Sequence, residues 1–165
     1  MTGTIQGLLD AFDDLVRMNL GYDKSNRWDI EAGGEGDCSS TSGWAIKKAG
    51  YPIDLLGTFF TGNFHTRAKA AGFTVLVIPS SWKLSDIIKA AVPGSFLCTP
   101  SHHVVGVRDA KRWISWEHDE RGKGTGGKSG IQKGEKVGYR EPYMRPGGWT
   151  YLIVPPADPT PTDPP

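Results

Sequence analysis

Asp37 and Cys38 stand directly before Ser39, Ser40, Thr41 and Ser42, and this short stretch is the part of the chain best suited to chemistry. Aspartate is a strong helix N-cap, which places Cys38 in the first turn of a helix. There, unpaired backbone N–H groups and the positive end of the helix dipole favour thiolate over thiol, and the thiolate is the nucleophile. The N–H of Cys38 is itself a candidate oxyanion donor. Ser39 and Ser40 are small enough to let a substrate backbone come close. A buried, inert thiol on a helix face is the alternative, and "DCSS" by itself leaves both open.

A nucleophilic thiol needs a base, usually histidine, and there are four: His65, His102, His103 and His118. His65 falls in the helical stretch "NFHTRAKAA" and reads as a surface residue. His102 and His103 open a strand, so alternation sends them to opposite faces. The His103 face continues through Val105 and Val107 and reads as the core side, against which a helix carrying Cys38 would pack. The His102 face continues through Val104, Gly106 and Arg108 and reads as more open. His103 is therefore the expected base. A third group usually orients the imidazole. On the next strand Glu117 shares a face with Trp113 and Ser115, while His118 shares the other with Ile114 and Trp116. Glu117 is the expected carboxylate, and His118 is its rival.

The elements that must hold these groups follow from periodicity. Ile5, Leu8, Leu9, Phe12, Leu15 and Val16 recur at helical spacing ahead of a stop at Gly21. A polar, Gly-rich loop follows, then a helix from Cys38 to Lys48 closed by Gly50. A short helix at 63–71 ends at Gly72, a strand follows at 73–78, and a further helix has Ser85 as its cap. From Pro93-Gly94 onward, "SFLCT", "HHVVGV", "RWISWE", "VGYREPY" and "WTYLIV" read as strands separated by turns. Helices first and consecutive strands afterwards make an α+β domain, with N-terminal helices packed on a mainly antiparallel sheet. Residues 1–154 form this domain. Residues 121–136 are a Gly/Lys-rich loop long enough to suggest binding. Residues 155–165 hold six prolines in eleven positions and read as an extended linker toward a further module.

Composition removes several classes of function. A chain of 165 residues suits one domain with a proper core, and 38% hydrophobic with 22% charged residues is not the balance of a disordered polymer. A net charge of +1 argues against a nucleic-acid binder. No apolar run approaches the ~20 residues needed to span a bilayer, so no membrane partner is expected. The opening residues "MTGTIQGLLDAFDDL" lack the basic start of a signal peptide, which implies synthesis in a cytoplasm. Cys38 and Cys98 are the only cysteines. They make no secreted-type disulfide framework, and a reducing compartment disfavours a single bridge between them. Nothing near Cys38 has zinc-ligand spacing, and a monomer is the default.

Several stretches share one order with a known family. "GYDKSNRWD" precedes "GDCSSTSGWAIKKAG", and "FTGNFHTRAKAAGF", "PGSFLCTPSHHVVGV" and "WEHDERGKGTGGKSGIQKGEKV" follow. A cysteine at a helix start, a strand-opening histidine and a polar residue on the following strand occur in this order in papain-like cell-wall hydrolases. The chain resembles the NlpC/P60 superfamily, most closely its phage endolysin branch, over residues 5–154. The resemblance implies a papain-like fold with Cys38 as nucleophile, His103 as base and Glu117 on the strand that supplies the third residue. It makes Tyr22, Trp28 and Ser39 candidates for the substrate groove, bacterial peptidoglycan the partner, and any metal or cofactor unnecessary. It also implies synthesis in a host cytoplasm and release to the wall through a holin-type pore. The expected reaction is endopeptidase cleavage in the stem peptide or cross-bridge. N-acetylmuramoyl-L-alanine amidase activity and a silent wall-binding module are the alternatives. The departures are Ser95 after Pro-Gly where relatives carry Asp, Ile131 and Lys133 in the expected turn, and Ser115 where the branch often carries Glu.

Overall fold

The computed structural model describes residues 2–18, 20–25, 27–31, 35–116 and 137–161. Helix α1 (Ile5–Met18) buries Leu8, Leu9, Ala11, Phe12 and Leu15 along one stripe, the spacing that turns one helix face toward a core. Thr4 caps it, its hydroxyl accepting the Gly7 N–H at 3.0 Å. Gly21, expected to stop this helix, instead opens a short strand. β1 (Gly21–Tyr22) and β2 (Glu35–Gly36) pair in parallel within the stretch expected to be plain loop. Helix α2 (Cys38–Lys48) follows, and Gly50 closes it in the left-handed region at φ +98°.

Next come α3 (Phe64–Ala70), β3 (Thr74–Val77) and α4 (Leu84–Ala90). The cap position of α4 is Lys83, not Ser85. The Asp86 carboxylate reaches back to accept the Lys83 N–H at 2.8 Å, so an acid in the first turn starts the helix two residues before the serine that marked it in the sequence. Strands β4 (Phe96–Thr99), β5 (His103–Val107), β6 (Trp113–Ser115), β7 (Gly138–Arg140) and β8 (Tyr151–Val154) complete a six-stranded antiparallel sheet with β3, in the order β3-β8-β4-β5-β6-β7. The domain is α+β, as expected.

Both faces of this sheet are covered, and β5 is buried at every position. One face packs Phe96, Cys98, Val104, Ile114 and Ile153 against Phe12 of α1 and against Cys38 and Ala45 of α2. The opposite face packs Leu97, Val105, Val107, Trp113 and Leu152 against Ile87 of α4 and against Trp149. Gly106 lets α1 approach closely, because a Cβ there would lie 2.7 Å from the Phe12 ring. At the end of β5, Arg108 grips Asp13 of α1 with two hydrogen bonds of 3.1 and 3.2 Å, and the Tyr139 hydroxyl donates to the same carboxylate. The Arg108 hydrogen bond holds the Asp13 carboxyl below its ordinary range, against the opposing effect of burial.

Packing contacts continue past Val154. Pro155 is buried beside Gly94, and Asp158 accepts the Ile5 N–H at 2.7 Å, capping α1 from the other end of the chain. The first residues of the expected linker therefore belong to the packed structure. No helix among the described residues is long and apolar enough to cross a membrane.

Candidate active site

The start of α2 is held by a reciprocal cap. Asp37 Oδ1 accepts the Ser40 N–H at 2.8 Å, and the Asp37 N–H donates to Ser40 Oγ at 2.9 Å. Arg27 closes over the other carboxylate oxygen at 3.1 Å and donates to Ser39 Oγ at 3.3 Å. Asp37 is only 4% exposed, and these bonds are what make a buried carboxylate tolerable. The run of hydroxyl residues has the same logic. Thr41 Oγ1 donates to the Asp37 carbonyl and Ser42 Oγ to the Cys38 carbonyl, each at 2.7 Å. Small side chains that bond back to their own helix allow α2 to be buried on several sides without orphaned polar groups. Gly43 continues this, since a Cβ there would lie 2.8 Å from Leu55 and Phe59, which pack across the helix.

Cys38 is 7% exposed, and its thiol is pushed up to about 12, first by burial and then by the Asp37 carboxylate. The Val104 N–H, the Lys24 charge and the Ser39 backbone offset only part of this. The helix start was expected to favour thiolate; here desolvation outweighs it, and the resting group is a thiol. Cys98 lies in the same core cluster as Cys38, with its sulfur 3.7 Å from the Thr61 carbonyl. Both cysteines are free. Cys98 is likewise pushed up to about 12, by burial first and then by the nearby Cys38, whose ionised form would repel a second thiolate.

A groove of about 230 Å³ opens over Cys38. Asp37, Cys38 and Ser39 line it; Tyr22, Lys24 and Arg27 come from the segment beginning at β1, Phe60 and Thr61 from the turn before α3, and Ser101 and His102 from the turn before β5. Ser101 is the one described non-glycine residue with positive φ, at 64°. Such backbone is costly and persists where the surroundings demand it, and here it presents His102 to the groove.

The two adjacent histidines lie on the opposite faces from those expected relative to α2. Val104 shares a face with Cys38, so alternation from Val104 along β5 sets His103 on the face of Val105 and Val107, toward α4. His103 is 7% exposed, its ring stacked on Trp149 at 6.1 Å and 25°. It does not line the groove, whereas His102 does. The placement differs from the expected one because the more apolar face was equated with the one that α2 covers. Both faces are buried, and apolarity could not say which helix lies on which.

Of the residues expected to bind substrate, Tyr22 and Ser39 line the groove and Trp28 does not. Trp28 is 45% exposed, packed on Phe59 at 5.8 Å with the Arg27 guanidinium over its ring. Glu117, His118 and the loop at 121–136 lie outside the described residues. His65 is half-buried, not a surface residue, stacked on Tyr151 at 4.7 Å with its pKa lowered by burial. Lys24, Arg27, Phe60, Thr61 and Ser101 line the groove although sequence reasoning assigned them no part in a site. Only their neighbourhood in space marks them. Among the described residues, no group of three or more His, Cys, Asp or Glu could hold a metal ion. Compared with known proteins, the sequence matches no family model, and no curated protein matches it.

Proposed function

We propose that this domain is a cysteine hydrolase of amide bonds in bacterial peptidoglycan, with a papain-like NlpC/P60 fold and a phage endolysin's role in host lysis. The observation that carries the proposal is that Cys38, at the start of α2, and His102, ahead of β5, line one groove. The resemblance of the surrounding motifs supplies the substrate class.

In this reading the thiol is protonated at rest, so His102 removes its proton as the sulfur adds to the carbonyl carbon. The developing oxyanion takes a hydrogen bond from the N–H of Cys38, which as the first residue of α2 has no carbonyl within the helix to bond. His102 then protonates the departing amine. Water deprotonated by His102 attacks the thioester and releases the acyl product, returning the proton to sulfur. The enzyme acts as a monomer on the wall after passing from the host cytoplasm through a pore.

The test is digestion of purified peptidoglycan by the wild-type chain and by Cys38→Ala, His102→Ala and His103→Ala, with mass spectrometry of the released fragments. The expected outcome is fragments from wild type, none from Cys38→Ala, a loss of at least about a hundredfold in His102→Ala, and a much smaller loss in His103→Ala. New termini within the stem or cross-bridge identify an endopeptidase; a freed L-Ala amine identifies an amidase. Full activity in Cys38→Ala would remove the hydrolase reading. A loss in His103→Ala with His102→Ala active would return the base to His103.

A further inference from the structure

A second and larger cavity, of about 520 Å³, opens on the other face of the sheet, where Ile87 of α4 forms part of its wall. Its size is that of an ordinary ligand site, ~300–1,000 Å³. Val77, Trp82 and Trp149 line it with Ile87, together with Arg145 and Gly147. The turn from Arg145 to Gly148 is closed by the Gly148 N–H on the Arg145 carbonyl at 2.9 Å. Pro146 is second and Gly147 third, at φ +81°, the arrangement of a type II turn. The Gly148 carbonyl accepts the Thr99 hydroxyl at 3.2 Å, and Trp149 Nε1 donates to the Tyr143 carbonyl at 3.0 Å. So anchored, the turn sets the Arg145 guanidinium over the Trp149 ring, 5.5 Å from its centroid. Arg145 has no ion pair with any described residue. A guanidinium placed over a ring keeps its N–H edge for a planar anion, which it meets with two parallel hydrogen bonds.

The same cavity meets an open strand edge. β3 is the outermost strand of the sheet. The Ile78 N–H donates to the Thr150 carbonyl at 2.9 Å, so in the register Val77↔Tyr151 the alternate residues Val75 and Val77 turn their N–H and C=O groups away from β8. Val77 is 73% exposed and lines the cavity. Main-chain groups on an open edge are a template for an added peptide strand. We infer that this cavity is a second binding site, which takes the free C-terminal carboxylate of an extended peptide. The peptide main chain pairs with the edge at Val77, a small apolar terminal residue lies toward Ile87 and Trp82, and Arg145 takes the carboxylate. An acidic sugar or a phosphate ester would satisfy the cation and leave the strand edge unused. The cavity and the groove over Cys38 sit at one end of the sheet, where β3 and β4 end and β5 and β8 begin, on opposite faces. In the polymer proposed as substrate, such a peptide end is the D-alanine of an uncrosslinked stem. That source rests on the proposed function; the site itself does not.

The probes are diacetyl-L-Lys-D-Ala-D-Ala, the same peptide ending in a carboxamide, and diacetyl-L-Lys-L-Ala-L-Ala. Calorimetric binding is measured on full-length Cys38→Ala, alone and combined with Arg145→Gln, Arg145→Lys or His102→Ala. The D-alanyl acid is expected to bind about tenfold more tightly than its amide, the scale of hydrogen bonds to a charged group. The preference is expected to vanish with Arg145→Gln and to shrink with Arg145→Lys, which keeps the charge without the planar fork. It is expected to survive His102→Ala, which lies in the other groove. Equal binding of acid and amide, binding of neither, a preference that survives Arg145→Gln, or one lost with His102→Ala would overturn the site. Acids ending in D- and L-alanine that bind equally would uphold the carboxylate site and remove the stem peptide as its particular source. An Arg145-dependent preference in a chain whose wild type digests no peptidoglycan upholds the site and removes the hydrolase reading instead.

Discussion

Cys38 combines a helix N-terminus, which favours thiolate, with burial and an adjacent carboxylate, which oppose it, and the second pair wins: its pKa stands at about 12 instead of the ordinary 9.0. Alkylation of Cys38 by iodoacetamide is therefore expected to quicken about tenfold per pH unit between pH 7 and 10, followed by peptide mass spectrometry. A rate that levels off near pH 8 would instead indicate a preformed thiolate. The same shift carries a sign for stability. Between pH 9 and 12 the folded thiols of Cys38 and Cys98 hold protons that the unfolded chain releases. Their contribution is complete below pH 9 and is lost as pH rises toward 12.

At the scale of the element, the cap of α2 joins stability to reactivity through one side chain. Asp37 holds the first turn through the Ser40 N–H and raises the neighbouring thiol through its charge. Two substitutions separate these effects. Asp37→Ala loses the cap and strands Arg27, and is expected to cost about 2 kcal/mol in urea unfolding. Asp37→Asn keeps an oxygen on the Ser40 N–H and removes the charge. It is expected to cost less than Asp37→Ala and to let Cys38 alkylate several-fold faster at a fixed pH. An unchanged alkylation rate in Asp37→Asn would mean that burial alone sets the thiol.

For the whole molecule, the two chain ends meet at α1. Asp158 caps Ile5, and Pro155 fills the space beside Gly94. A chain ending at Val154 is expected to lose about 1–2 kcal/mol of stability, from one cap and one buried proline. A chain ending at Pro161 is expected to match the full sequence. Chemical denaturation of the two truncations checks this, and equal midpoints would show that the segment after β8 only rests on the surface.

Much of this architecture was legible because it is local. Apolar spacing marked α1, Asp37 and Gly50 bracketed α2, and alternating runs marked the five strands after Pro93. Each follows from backbone geometry acting over a few residues. The start of α4 was misplaced for an equally local reason: Ser85 has the right chemistry for a cap, but Asp86 reaches Lys83. The candidate site was legible in part. Cys38 announced itself through its aspartate and hydroxyl neighbours, and alternation separated His102 from His103. Which histidine meets Cys38 depends on which face of β5 is covered by α2, and that is decided by long-range packing, with Gly106 making room for Phe12. Lys24 and Arg27 reach the groove through a parallel β1–β2 pairing of two residues each, too short to leave a periodic signal. By itself the sequence determined the elements and the nucleophile candidate, because propensity and capping act within a few residues. Only the tertiary structure decided which histidine shares a groove with Cys38 and how deeply the thiol is buried, because those depend on packing between residues distant in the chain.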